Sequence, residues 1–294
     1  SPKRPSKSPS QSPDGANGAN GVDGADGADG VDGGTADDRP HWCHEVMLRT
    51  KAEVMSVAIA PDCSFFVVGS NANIAEVYEL TTRELQFDVF RKREVASVAV
   101  SSNSKFIAVG SHDGSAAIVD VASERVVHEV KEQISQSNQV RAVTFSPDCG
   151  ALAVGLKRKS RGDPAAIVNL PTAKISKQIH YGGDSEECTY AVAFSPKSPN
   201  KLVIGSKDSS VTVVDVTDSD PTTEPEFKRG KCVRSVAFHP DGDYFAVGSE
   251  EQTVLIVDAA TNACTLLDTG DHSEGKFAGI CELDGKIYCC PSNA

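Results

Sequence analysis

SVAFHPDGDYFAVGSEEQTVLIVD, residues Ser235 to Asp258, decides how this chain is read. It holds an apolar run, a His-Pro-Asp-Gly corner, a second apolar run closing on Gly248 and a third closing on Asp258. Short apolar runs bounded by turn residues read as strands. In the corner, Pro presets one backbone angle and Asp or Gly takes the bend. Four relatives of the phrase precede it. They start at Ser56 (SVAIAPDCSFFVVGSNANIAEVYE), Ser97 (SVAVSSNSKFIAVGSHDGSAAIVD), Ala142 (AVTFSPDCGALAVG) and Ala191 (AVAFSPKSPNKLVIGSKDSSVTVVD).

The glycine that closes the second strand recurs as Gly69, Gly110, Gly155, Gly205 and Gly248, at steps of 41, 45, 50 and 43 residues. A period near 40–45 with several short strands per unit is the signature of propeller blades. The fold class is therefore all-β, a β-propeller of four-stranded antiparallel blades, with five complete repeats and a partial sixth. In each repeat the first strand, such as the one holding Val233, Val236, Ala237 and Phe238, is apolar on both faces and is expected to be fully buried. A more polar fourth strand, such as Arg125 to Val130, forms the outer edge. The partial unit comprises Phe277 to Glu282 and Lys286 to Cys290. A closed ring leaves no raw sheet edge. The expectation is thus a piece of a seven-blade ring, with Glu45 to Arg49 available as a closing outer strand; a compact six-blade ring is the alternative.

Composition bounds the partners. The chain has 294 residues and a formal charge of −12. Residues 1–40 hold four Lys/Arg and seven Asp, a net −3, which leaves −9 in residues 41–294. So acidic a domain is a poor general binder of nucleic acid or anionic membrane, and no apolar run reaches the roughly 18 residues of a membrane span. Residues 1–40 combine a Ser/Pro segment with a tract carrying Gly at every third position from Gly15 to Gly33. Without Pro support that tract reads as a disordered tether, not a collagen helix. The domain reading is a disordered tail over 1–40 and a propeller over 41–294. Nine cysteines with no CxxC pair read as free thiols, and point to the cytoplasm, with the nucleus as an alternative. Cys43, between His41 and His44, lacks further ligands at matching distance, so no metal or cofactor is expected.

The phrase SVAFHPDG…AVGS…VLIVD resembles the WD-repeat β-propeller unit, and the resemblance covers Glu45 to Asp268. The family's Trp-Asp ending of the third strand is replaced by Tyr78-Glu79, Val119-Asp120, Val168-Asn169, Val214-Asp215 and Val257-Asp258. The Gly-His before the first strand is missing too. The family's His–Ser–Trp–Asp hydrogen-bond network cannot form as such, although Ser111, Asp113, Ser206 and Asp208 keep fragments of it. The resemblance implies a non-catalytic scaffold that assembles other proteins or peptide segments on its rim. A second resemblance, of AVGSHDG (Ala108 to Gly114) to blades of the echinoderm-microtubule-associated family, implies a cytoskeletal binder instead. A propeller enzyme is the remaining alternative. No nucleophile–base arrangement or phosphate loop supports it, and no catalytic residue is assigned.

By the family layout, the residues opening the first strands lie near the top mouth of the ring. They are Met55, Ala96, Arg141, Tyr190 and Arg234. Arg and Tyr are enriched at binding hot spots, so Arg141, Tyr190 and Arg234 are the candidate partner contacts. The third repeat adds an insertion carrying Lys157, Arg158, Lys159 and Arg161, read as an exposed basic loop for an acidic segment or phosphate. Ser160 in that loop, and Ser1, Ser8 and Ser12 in Ser-Pro pairs of the tail, are candidate phosphorylation sites. His112 beside Asp113 reads as a hairpin contact, and His239 as a turn residue.

Overall fold

A computed structural model describes residue 50 and residues 52–130, 138–158, 164–181, 188–217, 226–251, 253–268, 276–283 and 286–292. The tail with Ser1, Ser8 and Ser12, the expected strand at Glu45 to Arg49, the boundary near residue 40, and Lys159, Ser160 and Arg161 lie outside the described residues.

Blade one comprises β1 (Val54–Ile59), β2 (Phe65–Ser70), β3 (Ile74–Glu79) and β4 (Leu85–Phe90). Blade two follows as β5 (Val95–Val100), β6 (Phe106–Ser111), β7 (Ala116–Asp120) and β8 (Arg125–Val130). Blade three is β9 (Gln139–Phe145), β10 (Ala151–Lys157), β11 (Ala165–Asn169) and β12 (Lys174–Ile179). Blade four is β13 (Thr189–Phe194), β14 (Lys201–Ser206), β15 (Ser210–Asp215) and β16 (Glu226–Lys228). Blade five is β17 (Val233–Phe238), β18 (Tyr244–Ser249), β19 (Thr253–Asp258) and β20 (Cys264–Asp268). A two-stranded sheet, β21 (Lys276–Leu283) with β22 (Lys286–Ser292), ends the described chain. All ladders are antiparallel meanders, and each blade's first strand packs beside that of the next, from β1 and β5 through to β17 and β21. Among the described residues, no ladder joins blade one to β21 and β22.

The recurring glycine is the seat on which the next blade rests. A Cβ at Gly110 would stand 2.6 Å from Cγ1 of Val140 and 3.0 Å from Cγ1 of Val143. Gly69 meets Val95 and Val98 in the same way, Gly155 meets Thr189, and Gly205 meets Val233 and Val236. A side chain of any size would force the blades apart, which is why this position repeats without change. Serine hydroxyls of the first strands add cross-blade bonds: Ser56 accepts from the Val98 amide at 3.1 Å, and Ser97 from the Val143 amide at 3.1 Å.

The expectation of fully buried first strands is met on one face only in blades two to five, where Val233 and Val236 are buried but Ala237 and Phe238 are half-buried, and it fails altogether in blade one. Val98, Val143, Val192 and Val236 are 6–9% exposed, whereas Val57, at the same register, is 55% exposed. Val54 and Ile59 on the same strand are exposed as well. The physical reason is that no described sheet precedes blade one.

Turn chemistry follows the sequence closely. Cys63, Ser104 and Cys149 occupy one corner position with φ near 57–58°. The turn carboxylates are held below their ordinary range by local donors. For Asp148 these are the Ser146 hydroxyl and then the Gly150 amide. Asp120 is held by Ser123, and Asp215 by Thr217. His239 is a turn residue: its Nδ1 accepts from the Asp241 amide at 3.2 Å.

Candidate functional site

The five residues that open the first strands share a backbone device. The ladder between first and second strands slips between Val54 and Ser56, Val95 and Ser97, Val140 and Ala142, Thr189 and Ala191, and Val233 and Ser235. The extra residue in each case is Met55, Ala96, Arg141, Tyr190 or Arg234. A β-bulge leaves one residue unpaired and re-aims its side chain. Packing residues flank each bulge, so the bulge position is free to vary while its neighbours are not.

Three of the five converge. The Arg234 guanidinium lies over the Tyr190 ring, 4.3 Å from its centroid. Such a cation–π contact contributes about 0.5–1 kcal/mol at exposed sites. Arg234 Nε also donates to Glu250 Oε1 at 2.8 Å, and Nη2 engages the same oxygen. Burial raises the Tyr190 pKa, with nearby Cys188 acting in the same direction against Arg234 and Arg141. Arg141 donates from Nη2 to Gln139 Oε1 at 3.0 Å, while its buried Nε has no partner among the described residues. Cys188, buried, interacts with Arg141 and Tyr190. Burial pushes its thiol up, against the opposing fields of Arg141, Lys157 and Lys207. Lys207 therefore joins the basic cluster, a residue the motif reading passed over because it sits in an ordinary hairpin.

The basic-insertion reading needs correction at two of its residues. Lys157 is not in a loop: it ends β10, pairs with Gln139 and bridges Cys188. Arg158 is half-buried, and its Nη1 is enclosed without a partner among the described residues. Lys157 belongs to the seam between blades three and four, because β10 runs on past the expected turn, with the Leu156 amide donating to Pro164 O at 2.8 Å.

His112 is also not the partner of Asp113. Its Nδ1 meets Glu94 Oε2, and its ring is buried, so its pKa lies below the ordinary value, first through burial and then through Arg141. Asp113 instead receives Arg91. That pairing reveals what replaces the missing Trp–Asp network. In the linker leading into blade two, Arg91 reaches the Ser115 hydroxyl, Glu129 at 3.0 Å and Asp113 at 3.8 Å, with only 7% of its side chain exposed. Arg229 does the same for blade five: Nε donates to Ser249 at 3.4 Å, and Nη2 to Thr253 Oγ1 at 2.6 Å and to Glu251 at 2.5 Å. Tyr181 fills the slot for blade four, buried, with its hydroxyl on Thr189 Oγ1. Each pin lies two residues beyond an apolar residue of the preceding blade's outer strand: Val89, Phe227 or Ile179. Arg91 and Arg229 thus fasten their linkers to the Ser-x-Asp/Glu hairpin of the blade that follows, and Tyr181 fastens its own to the first strand of blade four.

Comparison with known proteins agrees with this geometry. The family described as "WD domain, G-beta repeat" matches residues 87–120 and 225–258. Those spans run from an outer strand through the linker to the end of the next third strand, and each contains an arginine pin. The chain carries WD repeats. It is similar to Protein tipD of Dictyostelium discoideum, 26% identical over 114 residues, which cover 38% of this chain and 18% of that protein. It is also similar to Ribosome biogenesis protein BOP1 of Mus musculus, 28% identical over 139 residues, covering 45% of this chain and 18% of that protein. The chain therefore spans less than a fifth of either relative. WD repeats generally mediate protein–protein interaction, and they are typically non-enzymatic. Among the described residues, no group of three or more His, Cys, Asp or Glu side chains is placed to hold a metal ion.

Proposed function

We propose that this protein is a non-catalytic scaffold that captures an acidic segment of a partner protein on the bulge residues Arg141, Tyr190 and Arg234. One observation carries this reading: the same bulge recurs in all five blades, and in blades three to five it presents an Arg–Tyr–Arg group with Lys157 and Lys207 beside it. Rigid sheets hold these side chains in place, so little ordering entropy is lost on binding. Tyr190 offers a flat contact face, and Arg234 is already oriented over it by Glu250. The surrounding domain is acidic, so a basic mouth within it gives direction to an acidic ligand and repels general polyanions. The same −9 balance opposes a microtubule surface, and no observation favours the cytoskeletal reading. We place the protein's activity in the cytoplasm.

The test is titration with an acidic probe, a fluorescent peptide of ten glutamates, at rising salt. Binding should weaken as salt rises and fall about tenfold or more in R141E and in R234E. An Arg125→Glu control on the outer strand should bind as wild type does. Equal binding by all three variants would retire the rim as the site.

A further inference from the structure

The seam between blades two and three contains a cavity of about 210 Å³. It is lined by Phe106, Ile118 and His128 of blade two and by Cys149, Leu170 and Pro171 of blade three. Register explains its origin. Phe87 pairs with Val77 in blade one, and His128 pairs with Ile118 at the same place in blade two. In the first seam the Phe87 ring and Val121 pack against the core shared by blades one and two. In the second seam a smaller, polar imidazole stands where the benzene ring stands in the first. Phe106 packs against the core there.

Two polar groups line this otherwise apolar space. No hydrogen bond or ion pair engages His128 among the described residues, although its ring is half-buried. The Cys149 thiol faces the Ser102 hydroxyl at 3.0 Å, and that hydroxyl also donates to Pro147 O at 2.7 Å. An apolar cavity of roughly 150 Å³ is enough to hold benzene. The sister seam shows that a benzene ring is the shape this joint accommodates. The free imidazole adds one hydrogen-bond partner beside it.

We propose that the crevice between blades two and three binds a single hydroxyl-bearing aromatic ring, a phenol, with its ring against Phe106 and Leu170 and its hydroxyl on His128. This site is separate from the rim and does not depend on it. A phenol can arrive as a free small molecule or as the tyrosine side chain of a partner, and the experiment distinguishes the two.

Cys63 holds the same corner position in blade one as Cys149 in blade three, so the protein carries its own control. Iodoacetamide labelling of the chain is followed at both cysteines by peptide mass spectrometry, with p-cresol or N-acetyltyrosine amide present. For a ligand of this size a Kd of about 1 mM is expected, so p-cresol at about 2 mM should slow Cys149 roughly threefold and leave Cys63 unchanged. His128→Phe returns the ring found in the sister seam, and should abolish the protection. Protection by both probes assigns the site to a tyrosine side chain, and protection by p-cresol alone to a free phenol. An unchanged Cys149 rate in wild type at about 10 mM p-cresol, or equal slowing of Cys63, overturns the proposal whether or not His128→Phe folds.

Discussion

The glycine seats and the bulge positions lie only a few residues apart in space, yet they obey opposite rules. At the seats, Gly69, Gly110, Gly155 and Gly205 never vary, and the side chains that rest on them are Val or Thr. At the bulges the residue changes in every blade, from Met55 and Ala96 to Arg141, Tyr190 and Arg234. The seats are contacts between blades, where one methyl group is felt. The bulges face away from the ladder, where identity costs the fold little. The difference teaches that blade packing and freedom to vary fall on neighbouring strands of the same blade, the second and the first, so substitutions should separate them.

The largest loss is expected in the packed core. Phe245→Ala removes a ring that is 2% exposed and meets Phe227 and Phe238 at 6.2 and 5.4 Å between centroids. It should cost about 3–5 kcal/mol in denaturant unfolding. Arg229→Ala should follow at about 2–3 kcal/mol, since it takes the paired cation from Glu251 and leaves Ser249 and Thr253 without their guanidinium donor. Gly110→Ala should cost about 1–3 kcal/mol by overpacking against Val140 and Val143. The bulge substitution Tyr190→Ala should change stability by less than about 0.5–1 kcal/mol and show its effect in binding. A Gly110→Ala protein as stable as wild type, or a Tyr190→Ala protein as unstable as Arg229→Ala, would erase the distinction between the two strands.

Acid sharpens the comparison further. His112 is buried neutral, with its folded pKa below 6.5, so the unfolded chain takes up its proton first. Its contribution to stability is intact above pH 6.5, and is lost as pH falls from 6.5 toward the folded value. The turn carboxylates Asp120, Asp148 and Asp215 behave in a lower window. Their folded pKa values are depressed, so their stabilisation is present above 3.8 and disappears as pH drops below it. Thermal melts from pH 7 to pH 3 should show both steps, and His112→Asn should remove only the first.

The blades were legible because strand length, corner residues and the glycine period all agree, and each has a local cause. The bulge residues were legible as positions, but their convergence was not: Arg234 meets Tyr190 across a blade boundary 44 residues along the chain. The pins escaped notice for a different reason. Arg91, Tyr181 and Arg229 share a slot but not a residue type, and the slot lies in the linker of the preceding blade, outside the repeated phrase. Counting two residues on from Val89, Ile179 and Phe227 would have found them. His112 was assigned to its sequence neighbour Asp113, whereas the hairpin carries its ring to Glu94, 18 residues back.

Photo-crosslinking tests the central claim most directly. A benzoylphenylalanine placed at position 190, on the bulge, and at position 127, on the outer strand of blade two, should behave differently in the same cell extract. The scaffold account predicts a discrete partner adduct from position 190, lost when Arg141 and Arg234 are reversed to Glu, and no such adduct from position 127. Adducts from position 127 but not from position 190 would contradict it.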